Sequence, residues 1–265
     1  RAHREKANLK AHMKIDTGMG RLGIWHEYAD ELFQAFRKAS RVTLNGIYTH
    51  FASADKDPAF TRKQREIFIE TIARADWLPV DDMLIHADNS AGITTFAPDS
   101  IYNAARIGLL QFGIRPYPES MLGRADTTPI FQFKSRVGIV KTLPEGASIS
   151  YGRTCVLKRE SRIAVVCAGY GDGIPLQLSN RGEVIINDQR CPILGRVTMD
   201  QTIVDVTEVA EPVESGDVVT IIGSQSGSEI RLEEFSIRAD TIPWEVMCSI
   251  TKRVPRIYRT AIQSG

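Results

Sequence analysis

The sequence predicts an α/β layer followed by an all-β domain, and three observations carry that prediction. Strand and helix signals alternate through roughly the first 120 residues, the signature of a parallel sheet with crossover helices. Near Thr127 the pattern changes, and strands then follow one another across turn residues. The strand ends of the first part also collect polar residues, as strand C-termini do where an α/β layer carries chemistry. The change of pattern places a boundary near residue 125, inside "LGRADTTP", and hence domains 1–125 and 126–265.

Each element follows from its own periodicity. "AHMKID" reads as a strand, and Glu27 to Ala39 as a helix with Leu32, Phe33, Phe36 and Ala39 at helical spacing. "VTLNGIYTHF" is the second strand, and Thr61 to Ala75 the second helix, with Ile67, Phe68, Thr71 and Ile72 on one side. "DMLIHA" is expected as a third strand and "NAARIGLLQFG" as a fourth. In the second domain the expected strands are "FKSRVGIVKTL", "ASISYGRT", "RIAVVCAGY", "GEVIINDQRCPIL", "QTIVDV" and "DVVTIIG". Asn187-Asp188 suits the turn of a hairpin, and a short helix is expected around Leu232 to Arg238.

Four strand–helix units in 120 residues make about half of a (β/α)8 barrel, which typically takes about 250. An open four-stranded sheet is the alternative. The polar strand ends favour the mouth of a TIM barrel, of which these would be the C-terminal half.

Bulk properties narrow the class. The 265-residue chain is 43% hydrophobic and 25% charged with a net charge of +1, and its basic residues are dispersed. Neither nucleic acid nor a membrane surface is expected as partner, and no apolar run is long enough to span a bilayer. No signal peptide is visible. The four cysteines lack metal-like spacing, which suits reduced thiols in a cytoplasmic protein, and no metal is expected.

Candidate site residues sit at the strand ends. The first strand runs into Asp16-Thr17-Gly18-Met19-Gly20-Arg21. Asp16 there could cap a helix, and the glycines could cradle a phosphate or serve only a turn. His50 and Asp55 follow the second strand, and His86 with "DNSAG" the third. Arg106, between apolar neighbours, must find a buried partner. Ser90 and the backbone at Gly108 offer donors to a phosphate. Together these residues imply an anionic cofactor without naming it.

The ordered motifs "HMKIDTGMGRLGI", "THFASAD", "HADNSAG", "RIGL", "SYGRT", "AGYGDG", "ILGRVTMDQTIVDV" and "RVPRIY" resemble those of the alanine racemases. The resemblance extends over essentially the whole chain from about residue 10. It implies a pyridoxal 5'-phosphate-dependent isomerase that interconverts L- and D-alanine and supplies D-alanine for peptidoglycan. The implied fold is a (β/α)8 barrel with a β-rich C-terminal domain, assembled as a homodimer, and the strands of residues 1–125 correspond to barrel strands 5–8.

The same resemblance implies roles for individual residues. Arg21 corresponds to the arginine near the cofactor's phenolic oxygen and the substrate, and Lys14 to a lysine carbamylated in many members. Arg106 corresponds to the residue at the pyridine nitrogen. His50 links it outward to Tyr151, one of two catalytic bases, which reaches into the partner's site. Asn89, Ser90, Gly108 and Leu109 fall at or beside phosphate-binding positions. Met199 and Asp200 correspond to partner-supplied residues near the substrate carboxylate, and Asp55, Tyr170 and Arg196 to an access corridor. Two flanking bases suit a reaction that takes a proton from one face of a carbon and returns it on the other. A tyrosine of ordinary pKa, about 10, needs cationic neighbours to act as one.

Two departures from the family pattern stand out. The second base and cofactor anchor is a lysine in a "KANAYGHG"-like motif. "KAN" at Lys6 to Asn8 lacks that continuation, and Lys6 is expected to be a solvated helix-end residue. The 265 residues are therefore expected to be a fragment lacking the first four barrel strands, inactive alone. Secondly, Trp244 stands where the family carries a tyrosine that donates to the phosphate. An indole has one N–H donor and more bulk, consistent either with a tolerated aromatic exchange or with preference for serine or another small amino acid. A decarboxylase-like relative is disfavoured, because Arg106 occupies the position where those carry a carboxylate. A non-catalytic paralogue remains the reading from a different class.

Overall fold

The computed structural model describes residues 4–5, 7–95, 101–114 and 127–259. Lys6 and the expected boundary near residue 125 lie outside them. The chain divides into two compact units, Arg1–Thr128 and Pro129–Gly265.

The first unit is built on a four-stranded parallel sheet. Its strands are β1 (Leu9–Asp16), β2 (Ile24–Trp25), β3 (Val42–Tyr48) and β4 (Leu84–His86), in the order β2-β1-β3-β4. Helix α1 (Ala29–Lys38) connects β2 to β3, and α2 (Pro58–Ala73) connects β3 to β4. A four-residue helix, α3 (Gly92–Thr95), follows β4. Helix α2 begins three residues before the expected Thr61, because Asp57 caps it by accepting from the Phe60 N–H at 2.9 Å, with Pro58 in the first turn. Met13, Ile15, Ile47 and Ile85 point from the sheet into a core with Phe33, Phe68 and Ile72 from the helices. Strand alternation then turns His12, Lys14, Tyr48 and His86 to the opposite face. Register places Lys14 beside Tyr48 and Tyr48 beside His86.

The expected fourth strand, "NAARIGLLQFG", does not form. Residues 103–107 carry no strand pairing, and Leu109–Phe112 is a short 3-10 helix. The physical reason lies in the side chains. Asn103 satisfies β4 through its amide, Oδ1 accepting from Ile85 N–H and Nδ2 donating to Met83 O, and Arg106 is anchored through its backbone N–H to Asp88 O. The segment is stitched beside β4 at isolated points rather than by a continuous ladder.

The second unit centres on an antiparallel sheet of β5 (Phe133–Leu143), β8 (Ser161–Val166), β9 (Glu183–Ile186), β10 (Gln189–Pro192), β11 (Thr202–Asp205), β12 (Val218–Gln225) and β13 (Ser228–Ile230). The order is β10-β9-β12-β5-β8-β11, with β13 on β12. Strands β6 (Ser148–Ile149) and β7 (Cys155–Val156) form a separate pair. Asn187 and Asp188, at φ 47° and 63°, make the expected tight turn between β9 and β10. Helix α4 (Leu232–Arg238) matches its prediction, whereas α5 (Pro243–Ser249), which carries Trp244, was not anticipated. All four cysteines are free thiols. Among the described residues no helix is long and apolar enough to cross a membrane.

Candidate active site

In the first unit the polar face of the sheet converges on Arg106. Its Nη2 donates to Thr49 O at 2.7 Å, to Ala87 O at 3.2 Å and to His50 Nδ1 at 3.1 Å. Its Nη1 donates to His86 Nδ1 at 2.5 Å and to His86 O at 3.3 Å. The arginine between apolar neighbours thus finds its partners at the ends of β3 and β4. A guanidinium has donors and no acceptor, so each histidine must offer Arg106 a bare Nδ1. A neutral His50 therefore carries its proton on Nε2 and presents a donor to whatever lies beyond. Burial, and after it the Arg106 charge, push both His50 and His86 down to about 4. At neutral pH both rings are uncharged.

The glycine loop after β1 is not a phosphate cradle. The Asp16 carboxylate itself occupies the concavity, with Oδ1 accepting from the N–H groups of Gly18, Met19 and Gly20 at 3.0, 2.9 and 3.1 Å. Burial opposes the charged form, yet these hydrogen bonds outweigh it and keep Asp16 below the usual carboxylate range. Gly23, at φ 104°, lets the loop return against β1, where a Cβ would lie 2.6 Å from Lys14 O. Arg21 is exposed after this turn. Burial first, then the Arg21 charge, hold the Lys14 ammonium below its ordinary pKa.

Phosphate-type groups gather just beyond the same end of β4. The buried Ser90 Oγ accepts from Gly108 N–H at 2.9 Å and Leu110 N–H at 3.4 Å, where Leu109 begins the 3-10 helix. Asn89 turns the chain into α3, its Oδ1 accepting from Ala91 and Gly92 N–H. With its oxygen accepting from these two N–H groups, the Ser90 hydroxyl keeps its proton to offer an anionic group, and Arg106 is a donor suited to a ring nitrogen, so the residues fit pyridoxal phosphate. Asp55 lies half-buried in the turn before α2.

Three residues with parts in this cluster escaped the site prediction. His86 stands at a strand end, where the sequence alone assigns it no role. His12 was not singled out, although its alternation with Lys14 on one strand face was available. Gln64 of α2, fully buried, joins the strand ends: Oε1 accepts from Ala52 N–H at 2.9 Å, and Nε2 donates to Thr17 Oγ1 and His50 O, each at 3.3 Å. Nothing in the sequence distinguishes this glutamine from others on a helix.

In the second unit Tyr151 is 73% exposed, on a turn held in an unusual backbone. Ser150, Gly152 and Arg153 have φ of 61°, 73° and 51°. Ser150 Oγ ties the turn to Arg196 O at 2.6 Å. Gly195, at φ 68°, allows the approach: a Cβ there would lie 2.6 Å from Ile149 O. The "AGYGDG" and "TMDQ" segments are likewise bound together, Tyr170 N–H to Thr198 O and Gly171 N–H to Met199 O, both at 2.9 Å. Arg253 bridges the two segments, donating to Asp200 at 2.6 Å and lying 3.3 Å from Asp172. Tyr151, Tyr170, Arg196, Met199 and Asp200 are all exposed, as is Trp244 near the start of α5.

Comparison with known proteins matches both units. The family model for the alanine racemase N-terminal domain matches residues 1–116, and that for the C-terminal domain residues 130–258. The chain is 41% identical over 260 residues to alanine racemase 2 of Caldanaerobacter subterraneus subsp. tengcongensis, covering 97% of this chain and 66% of that protein. It thus spans just under two thirds of the relative's length. The crystal structure of alanine racemase from D-cycloserine-producing Streptomyces lavendulae superposes with a TM-score of 0.89 at 32% identity, covering 99% of this chain and 69% of that one. Alanine racemase from Bartonella henselae, solved with covalently bound pyridoxal phosphate, gives 0.84 at 28% identity, covering 97% and 68%.

Proposed function

The chain belongs to the alanine racemase family, and on that premise we propose that it carries one of the two bases and most of the cofactor pocket of a pyridoxal-phosphate-dependent racemase of L- and D-alanine. The observation that carries the reading is the direction of donation through Arg106 and His50. The arginine donates to His50 Nδ1, so the Nε2–H of His50 can stabilise only an acceptor. A tyrosinate is such an acceptor, and a tyrosine must be ionised to serve as a base. Tyr151 of a second copy is the residue we assign to that role, because its turn presents it outward.

Bound pyridoxal phosphate would supply the electron-withdrawing ring that acidifies the α-hydrogen of an attached amino acid. Arg106 would face the pyridine nitrogen as a donor that does not give up its proton, leaving the nitrogen uncharged. That moderates the electron sink and favours proton exchange over more extensive bond cleavage. Ser90, with Asn89, Gly108 and Leu109 beside it, would hold the phosphate, while Lys14 and Arg21 would stand beside the phenolic oxygen. Met199, Asp200 and Arg21 would orient the substrate, with Asp55, Tyr170 and Arg196 along its access path. The opposing base is assigned to no residue of this chain. We further propose a cytoplasmic homodimer that provides D-alanine for peptidoglycan.

The test is conversion of L- to D-alanine by the protein expressed from its complete reading frame, with pyridoxal phosphate. Steady turnover that exceeds conversion of L-serine is expected. No racemisation of either amino acid would reject the activity, and faster serine conversion would reject the substrate. Serine preference would also bring Trp244 forward as the selectivity residue.

A further inference from the structure

The Arg106 guanidinium has a second branch that the reaction above does not use. Through Nη1 it donates to His86 Nδ1 at 2.5 Å, so Nδ1 is bare and a neutral His86 carries its proton on Nε2. That nitrogen lies 3.1 Å from Nδ1 of His12. The His86 N–H therefore points at His12, which accepts only while its own Nδ1 is bare. With both rings neutral, donation runs from Arg106 to His86 to His12, and no other placement of the ring protons satisfies both contacts.

The backbone builds a seat for the His12 ring. The β1–β3 register slips between Ala11 and His12, so that Ala11 pairs with Leu44 while His12 pairs with Gly46. Such bulges re-aim side chains next to functional sites. Gly46 lies inside a strand, where glycine weakens pairing, and its φ is not positive. Space is what it supplies: a Cβ there would lie 2.6 Å from His12 Cε1 and 2.7 Å from His12 Nδ1. The imidazole thus crosses the central strand over Gly46 to meet His86, which Tyr48 stacks at 5.0 Å and 7°.

We propose that His12 is a positioning residue for Arg106: by accepting the His86 Nε2–H it holds His86 in the one tautomer that leaves an acceptor for the guanidinium. The proposal rests on Arg106 facing the cofactor, as assigned above. Without an acceptor at position 12, the buried His86 N–H has no partner among the described residues. Losing that partner destabilises the Nε2–H form and narrows its advantage over the Nδ1–H form or a turned-over ring, and either alternative removes the acceptor from Arg106. Arg106 would keep His50 and the carbonyls of Thr49 and Ala87, enough to remain in place but with its orientation loosened.

His12→Leu and His12→Asn test this in the protein expressed from its complete reading frame. The two side chains have the same shape, and only asparagine offers an acceptor where Nδ1 stood. Long-range 1H–15N spectra report the His86 tautomer directly. The unsubstituted protein and H12N should show the Nε2–H form alone, and H12L should populate the Nδ1–H form. With pyridoxal phosphate bound, H12L should lower kcat for alanine racemisation about tenfold with KM within about twofold, and H12N should recover to within about threefold of the unsubstituted enzyme. An Nδ1–H His86 in the unsubstituted protein overturns the proposal. So does an unchanged tautomer or an unchanged kcat in H12L, or identical behaviour of the two variants. The first spectrum requires no variant to fold and no turnover. A protein with no racemase activity but with the Nε2–H tautomer would reject the reaction proposed above while leaving the His12–His86–Arg106 arrangement intact.

Discussion

At the scale of the residue, the cluster around Arg106 makes two histidines into neutral hydrogen-bond partners, and this has a pH consequence. His50 and His86 resist protonation until about 4 in the folded protein, whereas an unfolded histidine takes a proton near 6.5. Between those values the unfolded state binds more protons, so these two groups lower stability as pH drops from 6.5 toward 4 and add no further change below. The urea midpoint should decline across that window, and His86→Asn should flatten the decline. An identical slope in the variant would show that other groups set it. Arg106 was legible as a site residue because a cation among apolar neighbours must be partnered. His12 was not, because its partner lies across another strand and is joined to it only through a bulge and the missing side chain of Gly46.

At the scale of the element, local chemistry decided the helices and the tight turns, while pairing decided the strands. Asp57-Pro58 starts α2 as its capping chemistry requires, and Asn187-Asp188 turns the β9–β10 hairpin. The Asp16 loop resolved in favour of a turn, since its own carboxylate fills the nest that a phosphate would need. "NAARIGLLQFG" has the apolar content of a strand, but its Asn103 and Arg106 side chains take over the contacts that a ladder would make. Helix α2 also holds the strand ends in register through Gln64, a role invisible in a helical pattern. Gln64→Leu would leave the Ala52 N–H without its acceptor and remove the donor that the amide offers to Thr17 Oγ1 and His50 O. A loss of about 1–3 kcal/mol is expected, measured as a lower urea midpoint with an unchanged slope. A variant as stable as the parent would mean that water replaces the amide.

At the scale of the whole molecule, the proposed reaction draws on both units: the Arg106 cluster of the first and the exposed Tyr151 of the second. If Tyr151 serves a second copy, the active unit is a dimer with shared sites. Tyr151→Phe and Arg106→Leu should each abolish alanine racemisation separately. Unfolding and refolding them together in equal amounts should restore about a quarter of the parent activity, because half of the dimers are mixed and each mixed dimer has one intact site. No recovery would place both residues in the same protomer's site. The sequence by itself determined the family, the α/β-then-β order of elements and the residue types available for chemistry, because periodicity and motif order are properties of the chain read locally. Tertiary structure alone decided which ring nitrogens of His50 and His86 meet Arg106 and that Gln64 and His12 belong to the cluster. It also decided that the fourth expected strand yields to side-chain contacts. Those outcomes depend on groups far apart in the chain meeting at hydrogen-bond distance, which no local pattern encodes.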